Sequence, residues 1–130
     1  MKLNGWWDSE LSPHIEVFTP DGERLDLVVD SGSNGEVTLP ISLIKKLGLK
    51  QYGYIYNRLA DGSTVRTEAF VGEILWFGEK IQVLVQATNS EDEGLLGTEL
   101  FQGCKVELDP DAGQVLFRKK SSKTRKGSFA

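Results

Sequence analysis

The sequence predicts a mostly β protein with one or two short helices. Short runs of alternating apolar and polar residues recur along the chain, and turn-forming residues punctuate them. Helical periodicity is confined to two brief segments. Glycine is slightly enriched, at 14 of 130 residues, as in turn-dense β domains.

Taken in order, the elements form a series of hairpins. His14-Ile15-Glu16-Val17-Phe18 and Leu25-Asp26-Leu27-Val28-Val29 flank Pro20-Asp21-Gly22, which carries the turn chemistry of a hairpin. Pro40 to Gly48 reads as a helix, with proline in its first turn, apolar residues three apart and a terminal glycine. Residues 57–60 and 64–70 flank Asp61-Gly62 as a second, projecting hairpin. A third joins 71–77 to 81–85 through Gly78-Glu79-Lys80. Thr98 to Gly103 is a single helical turn with Thr98 as its N-cap and glycine as its stop. A fourth hairpin joins 106–108 to 114–117 through residues 109–113. Glu91-Asp92-Glu93 reads as a solvated acidic loop.

One domain is expected over residues 1–117, long enough to bury roughly two-thirds of its unfolded surface. Residues 118–130 form a separate basic tail, polar, aperiodic and read as disordered. The tail carries +6 and the body −10, giving the formal −4. An acidic body argues against a nucleic-acid-binding domain. No apolar stretch approaches the roughly 18 residues that cross a bilayer. The N-terminus lacks the apolar core of a signal peptide, so no membrane partner and a cytoplasmic location are expected. One cysteine, Cys104, and one histidine, His14, exclude an intrachain disulfide and a Cys/His zinc cluster, and no metal or other cofactor is expected. Cys104 lies in an alternating segment and reads as a small buried apolar residue. His14 reads as structural.

The most informative feature is Asp30-Ser31-Gly32 at the end of the apolar run 25–29. A carboxylate at the tip of a buried strand sits at the edge of a core, where a hydroxyl and a flexible glycine follow it. The same tripeptide is common in ordinary turns, so its context must decide. A short helix follows within a dozen residues, and some sixty residues on comes Gly94-Leu95-Leu96-Gly97, an apolar strand opening a second helical turn. Gly32-Ser33-Asn34-Gly35 is not a phosphate-cradling loop: Asp30 and Glu36 would repel phosphate, and no Gly-Lys-Ser/Thr follows.

This arrangement resembles the retropepsin-like aspartic proteases, in particular their single-domain microbial branch. The resemblance rests on Val28-Val29-Asp30-Ser31-Gly32-Ser33, on the stretch from Asn34 through Pro40 to Leu47-Gly48-Leu49, and on Leu95-Leu96-Gly97-Thr98-Glu99-Leu100. It covers residues 14–117 and implies a small closed β-barrel of the retropepsin type. It also implies a homodimer, because the chain holds one Asp-Ser-Gly and each copy would supply one catalytic carboxylate, Asp30. Ser31, Gly32 and Ser33 would form the active-site loop, with Ser31 keeping the hydroxyl that the family uses to bond across the dimer. Asp61 and Gly62 would be the tip of a flap closing over an extended peptide or protein substrate, and Leu95, Leu96 and Gly97 would support the site. Two rival readings stand beside the endopeptidase: a catalytically silent retropepsin-like dimerisation or peptide-binding module, and a small β-barrel binding domain in which Asp30 caps a turn.

Overall fold

The computed structural model describes residues 1–91 and 94–120. Eleven strands are present among them, with one α-helix and one 3₁₀ turn. The first hairpin forms as its sequence dictates. β3 (Pro13–Phe18) and β4 (Arg24–Val29) pair antiparallel, with Ile15 opposite Leu27 and Val17 opposite Leu25. Alternation along β4 buries Leu25, Leu27 and Val29, and leaves Asp26 and Val28 on the other face. Each fully buried aliphatic side chain contributes about 1.5–3 kcal/mol.

β5 (Val37–Pro40) leads into α1 (Ile41–Leu47), which stops at Gly48, whose left-handed φ of 66° lets its N–H close on the last turn. Lys45 and Lys46 lie in that turn, where cations suit the helix dipole. Pro40 is the N-cap rather than the first helical residue.

The middle of the chain departs from expectation. β6 (Lys50–Arg58) starts well before the predicted strand, and β7 (Thr64–Trp76) runs unbroken through what the sequence divides into two strands. Phe70 and Val71, where the sequence divides the two, are consecutive residues of β7. β7 then turns into β8 (Glu79–Thr88) through Phe77 and Gly78, both at positive φ, the geometry of a tight hairpin turn. Phe77 accepts that backbone because its ring is buried edge-on against Trp76.

β9 (Gly94–Leu96) lies between β4, to which it is parallel, and β5, to which it is antiparallel. The larger sheet runs β2-β3-β4-β9-β5-β8-β7-β6, where β2 is Trp6–Trp7. An extra pairing of Phe18 with Leu75 joins β3 to β7 and curls this sheet back on itself. The expected closed barrel is thus a curled sheet whose outermost strands, β2 and β6, lie outside the ring. A second sheet orders β1 (Lys2–Asn4), β11 (Gln114–Lys119) and β10 (Cys104–Asp109). β11 reaches two residues beyond residue 117, taking Arg118 and Lys119 into the sheet. Residues 121–130 of the basic tail, and Asp92 and Glu93 of the acidic loop, lie outside the described residues.

The two sheets enclose one core, in which Trp76, Phe101 and Phe117 meet edge to face and Leu27, Leu39, Val83 and Leu96 are fully buried. Cys104 is buried as expected, its thiol 3.9 Å from the Leu100 carbonyl. Trp6 and Trp7 cap the body: the Trp7 indole donates to the Gln114 carbonyl at 2.9 Å, and Trp6 stacks on His14.

Candidate active site

Two loops meet at one end of the curled sheet. The first, residues 30–36, leaves β4; the second begins where β9 ends at Leu96. Because β4 and β9 are parallel neighbours, Val29 and Leu96 are register partners, and the loops that follow them emerge side by side. Backbone hydrogen bonds then lash them together. Asp30 N donates to the Leu96 carbonyl at 3.0 Å, Gly97 N to the Glu36 carbonyl at 2.8 Å, Thr98 N to the Ser33 carbonyl at 2.8 Å and Glu99 N to the Gly35 carbonyl at 3.2 Å. Four backbone bonds thus cross between the loops.

Asp30 is half-buried, while Ser31 and Gly32 are exposed. Its Oδ1 accepts the Gly32 N–H at 2.9 Å, and its carbonyl accepts the Ser33 N–H at 3.1 Å. Among the described residues no lysine, arginine or histidine lies within ion-pair distance of it. The carboxylate is therefore oriented by backbone and open to a further partner.

Gly97 is required by contact. A Cβ there would stand 2.2 Å from the Gly35 carbonyl oxygen and 3.0 Å from that of Ser33. Leu95 and Leu96 complete the support, Leu96 with no exposed surface. Thr98 does not cap the 3₁₀ turn (Thr98–Phe101) with its side chain: Gly97 is the N-cap residue, and the Thr98 hydroxyl donates back to the Ser33 carbonyl at 3.1 Å. The predicted cap is thus a tie between the two loops.

Asp61 and Gly62 are at the tip of the β6–β7 hairpin. The Asp61 carboxylate accepts the Ser63 N–H at 2.9 Å and the Ser63 hydroxyl at 2.5 Å, and these bonds hold its pKa below the ordinary range. Gly62 takes a φ of 87°. Asp61 is a turn former.

Sequence reasoning missed the bonds made by four side chains, three of them around the loops and one on β3. Glu36 is buried; its Oε1 accepts the Leu84 N–H at 2.8 Å and anchors the first loop to β8. Its one legible signal was an acid placed directly before an apolar strand. Asn57 and Gln86 are joined by a hydrogen bond beside Gly35, and no local pattern foretold it. His14 is buried between two carboxylates, with Nδ1 2.7 Å from Asp26 and Nε2 2.7 Å from Asp8. Burial opposes its charge, yet the bonds to Asp26 and Asp8 outweigh burial and raise its pKa. Among the described residues no group of three or more His, Cys, Asp or Glu is placed to hold a metal ion, and no helix is long and apolar enough to cross a membrane.

The aspartyl protease family matches this chain over residues 16–100, a span holding both loops and the hairpin between them. The chain belongs to the aspartyl protease family. An uncharacterized protein of Archaeoglobus fulgidus is 27% identical to this aspartyl protease family member over 105 residues, covering 75% of this chain and 80% of that protein. A retropepsin-like aspartic protease from Rickettsia conorii superposes with a TM-score of 0.64 at 15% identity, covering 90% of this chain and 89% of that one. The fold of this family member is retropepsin-like.

Proposed function

We propose that the protein is a homodimeric aspartic endopeptidase in which Asp30 of each copy supplies one of two facing carboxylates. The observation that carries this reading is the Asp30 carboxylate itself. It stands at the meeting of two cross-braced loops, fixed by backbone, half-open to solvent, and alone: this chain holds one Asp-Ser-Gly where a complete site needs two acids. A two-fold axis through the loops would supply the second.

In such a pair, two carboxylates a few ångströms apart cannot both ionise, so they share a proton. The ionised member takes a proton from a water held between them, and that water adds to the scissile carbonyl carbon. The protonated member donates to the carbonyl oxygen, giving a neutral gem-diol without an acyl-enzyme. Collapse transfers a proton to the leaving nitrogen and breaks the C–N bond. Ser31, Gly32 and Ser33 frame the acids, Leu95, Leu96 and Gly97 hold the loops, and the hairpin tipped by Asp61 and Gly62 closes over an extended peptide.

The test is peptide cleavage by purified protein across mildly acidic pH, alongside Asp30→Asn and a measurement of molecular mass in solution. Cleavage by a dimer, lost in Asp30→Asn with the fold kept, is expected. A stable dimer that cleaves no peptide would make the protein a silent dimerisation or peptide-binding module, and an inactive monomer would end the proposal.

A further inference from the structure

The β6–β7 hairpin is longer than the sheet that supports it. β8 pairs with β7 from Ala69 to Trp76, whereas β6 follows β7 out to the pair Arg58 and Thr64. Residues 54–67 therefore form a two-stranded ribbon past the sheet's end, and such ribbons are marginal on their own. The ribbon departs at Gly53, opposite Ala69, where the β6 register shifts and the Gly53 φ is 149°. A glycine at a bulge is where a strand bends most easily.

Asn57, one residue from the outer end of β6, ties the ribbon back to the body. Its Nδ2 donates to Gln86 Oε1 at 3.2 Å and to Thr67 Oγ1 at 3.0 Å. Gln86 pairs with Ala69 at the last rung of β7–β8, so the bond spans the point where support for the ribbon ends. The same Gln86 amide lies on the loop that starts at Asp30: a Cβ on Gly35 would stand 2.3 Å from its Nε2. On its other side, Gly35 meets the second loop through Glu99 N and Gly97.

We propose that Asn57 and Gln86 are positioning residues, their hydrogen bond a latch that fastens the Gly53-hinged ribbon to the strand beside the Asp30 loop and holds it ready to press an extended peptide onto the site. The peptide part rests on the endopeptidase reading; the latch does not. A neutral side-chain hydrogen bond of ordinary net strength shifts an opening equilibrium about fivefold. Substrate retention is where the latch acts, because a ribbon that opens more often releases peptide before reaction.

Hydrogen exchange on the full chain tests it. Asn57→Ala and Gln86→Ala are each expected to speed exchange of the ribbon amides between residues 54 and 67 about fivefold, leaving the β7–β8 amides of residues 72–76 unchanged. The double variant should be no faster than Asn57→Ala alone, which already removes the bond to Gln86 together with the one to Thr67. Gly35→Ala, whose methyl would displace the Gln86 amide, should give the same acceleration. Peptide kinetics should show KM raised several-fold with kcat within about twofold. Unchanged exchange, additive effects of the two single variants, or a fall in kcat at constant KM would each overturn the latch. A protein that cleaves nothing yet shows the coupled exchange would end the endopeptidase reading alone; an active enzyme with unaltered exchange would end the latch alone.

Discussion

β4 carries two aspartates four residues apart, Asp26 within the strand and Asp30 just past its end, and the molecule treats them in opposite ways. Asp26 is answered by side chains: His14 lies 2.7 Å away, Asp8 holds the far side of the same imidazole, and Trp6 stacks on the ring at 5.3 Å. Asp30 is answered by backbone, through the Gly32 N–H and the crossing of two loops. Each ring nitrogen of His14 faces a carboxylate, an arrangement that calls for the imidazolium, and its charge is spent within the cluster. Asp30 has orientation without neutralisation. A carboxylate that must exchange protons with water or substrate needs the second kind of setting, and one that fastens strands together needs the first.

The sharpest way to break this contrast is to remove each charge in turn. Asp30→Asn is expected to lower peptide cleavage by about a thousandfold or more, since one general acid–base group is lost, and to leave the urea midpoint nearly unchanged. Asp26→Asn should do the reverse, keeping cleavage while lowering stability by about 1–2 kcal/mol. If Asp26→Asn abolished cleavage in a folded protein, the division of labour along β4 would be wrong.

Next in size is Gly97→Ala. Its methyl would meet the Gly35 carbonyl oxygen at 2.2 Å, and both partners are backbone already committed to the loop crossing, so neither can yield. A cost of about 4 kcal/mol is expected from urea denaturation, together with lost cleavage. A stable, active Gly97→Ala would show that the loops can separate without harm to the site.

These contrasts also mark what was legible in the chain. The Asp30 end was readable because its demands are local: a strand must end, a glycine must follow, and Leu95-Leu96-Gly97 must arrive to brace it. Backbone requirements leave their marks on neighbouring residues. The His14 cluster was not readable, because Asp8, His14 and Asp26 come from a loop and two strands and meet only once β3 and β4 have paired. Asp26 lies inside the run 25–29 that reads as apolar, and it belongs to the less buried face of an alternating strand. The single long β7 was hidden for a different reason. It leaves one partner and joins another near Ala69, so its pattern changes midway.

His14→Ala is expected to cost about 3 kcal/mol, because it empties a buried site and leaves two carboxylates facing each other without the cation between them. His14→Gln should recover part of this by hydrogen-bonding one of the two acids. An equal loss in both variants would place the stabilisation in ring packing on Trp6 rather than in the charge.

The smallest effect, and the finest probe of the contrast, is the pH dependence of stability. The folded pKa of His14 is raised, so its contribution is fully present below the unfolded value of 6.5 and fades as pH rises through the folded one. Asp8 has the opposite sign: its hydrogen bond to His14 lowers its pKa, so its contribution is present above 3.8 and fades as pH falls through the lowered value. Between these limits His14 and Asp8 are both charged, and stability from this pair is greatest at mildly acidic pH. Urea midpoints taken from pH 5 to pH 9 should therefore decline for the wild type and flatten in His14→Gln. Because Asp30 is held by backbone, Asp30→Asn should leave that decline intact, and a flattened profile in that variant would mean that the two aspartates of β4 are coupled after all.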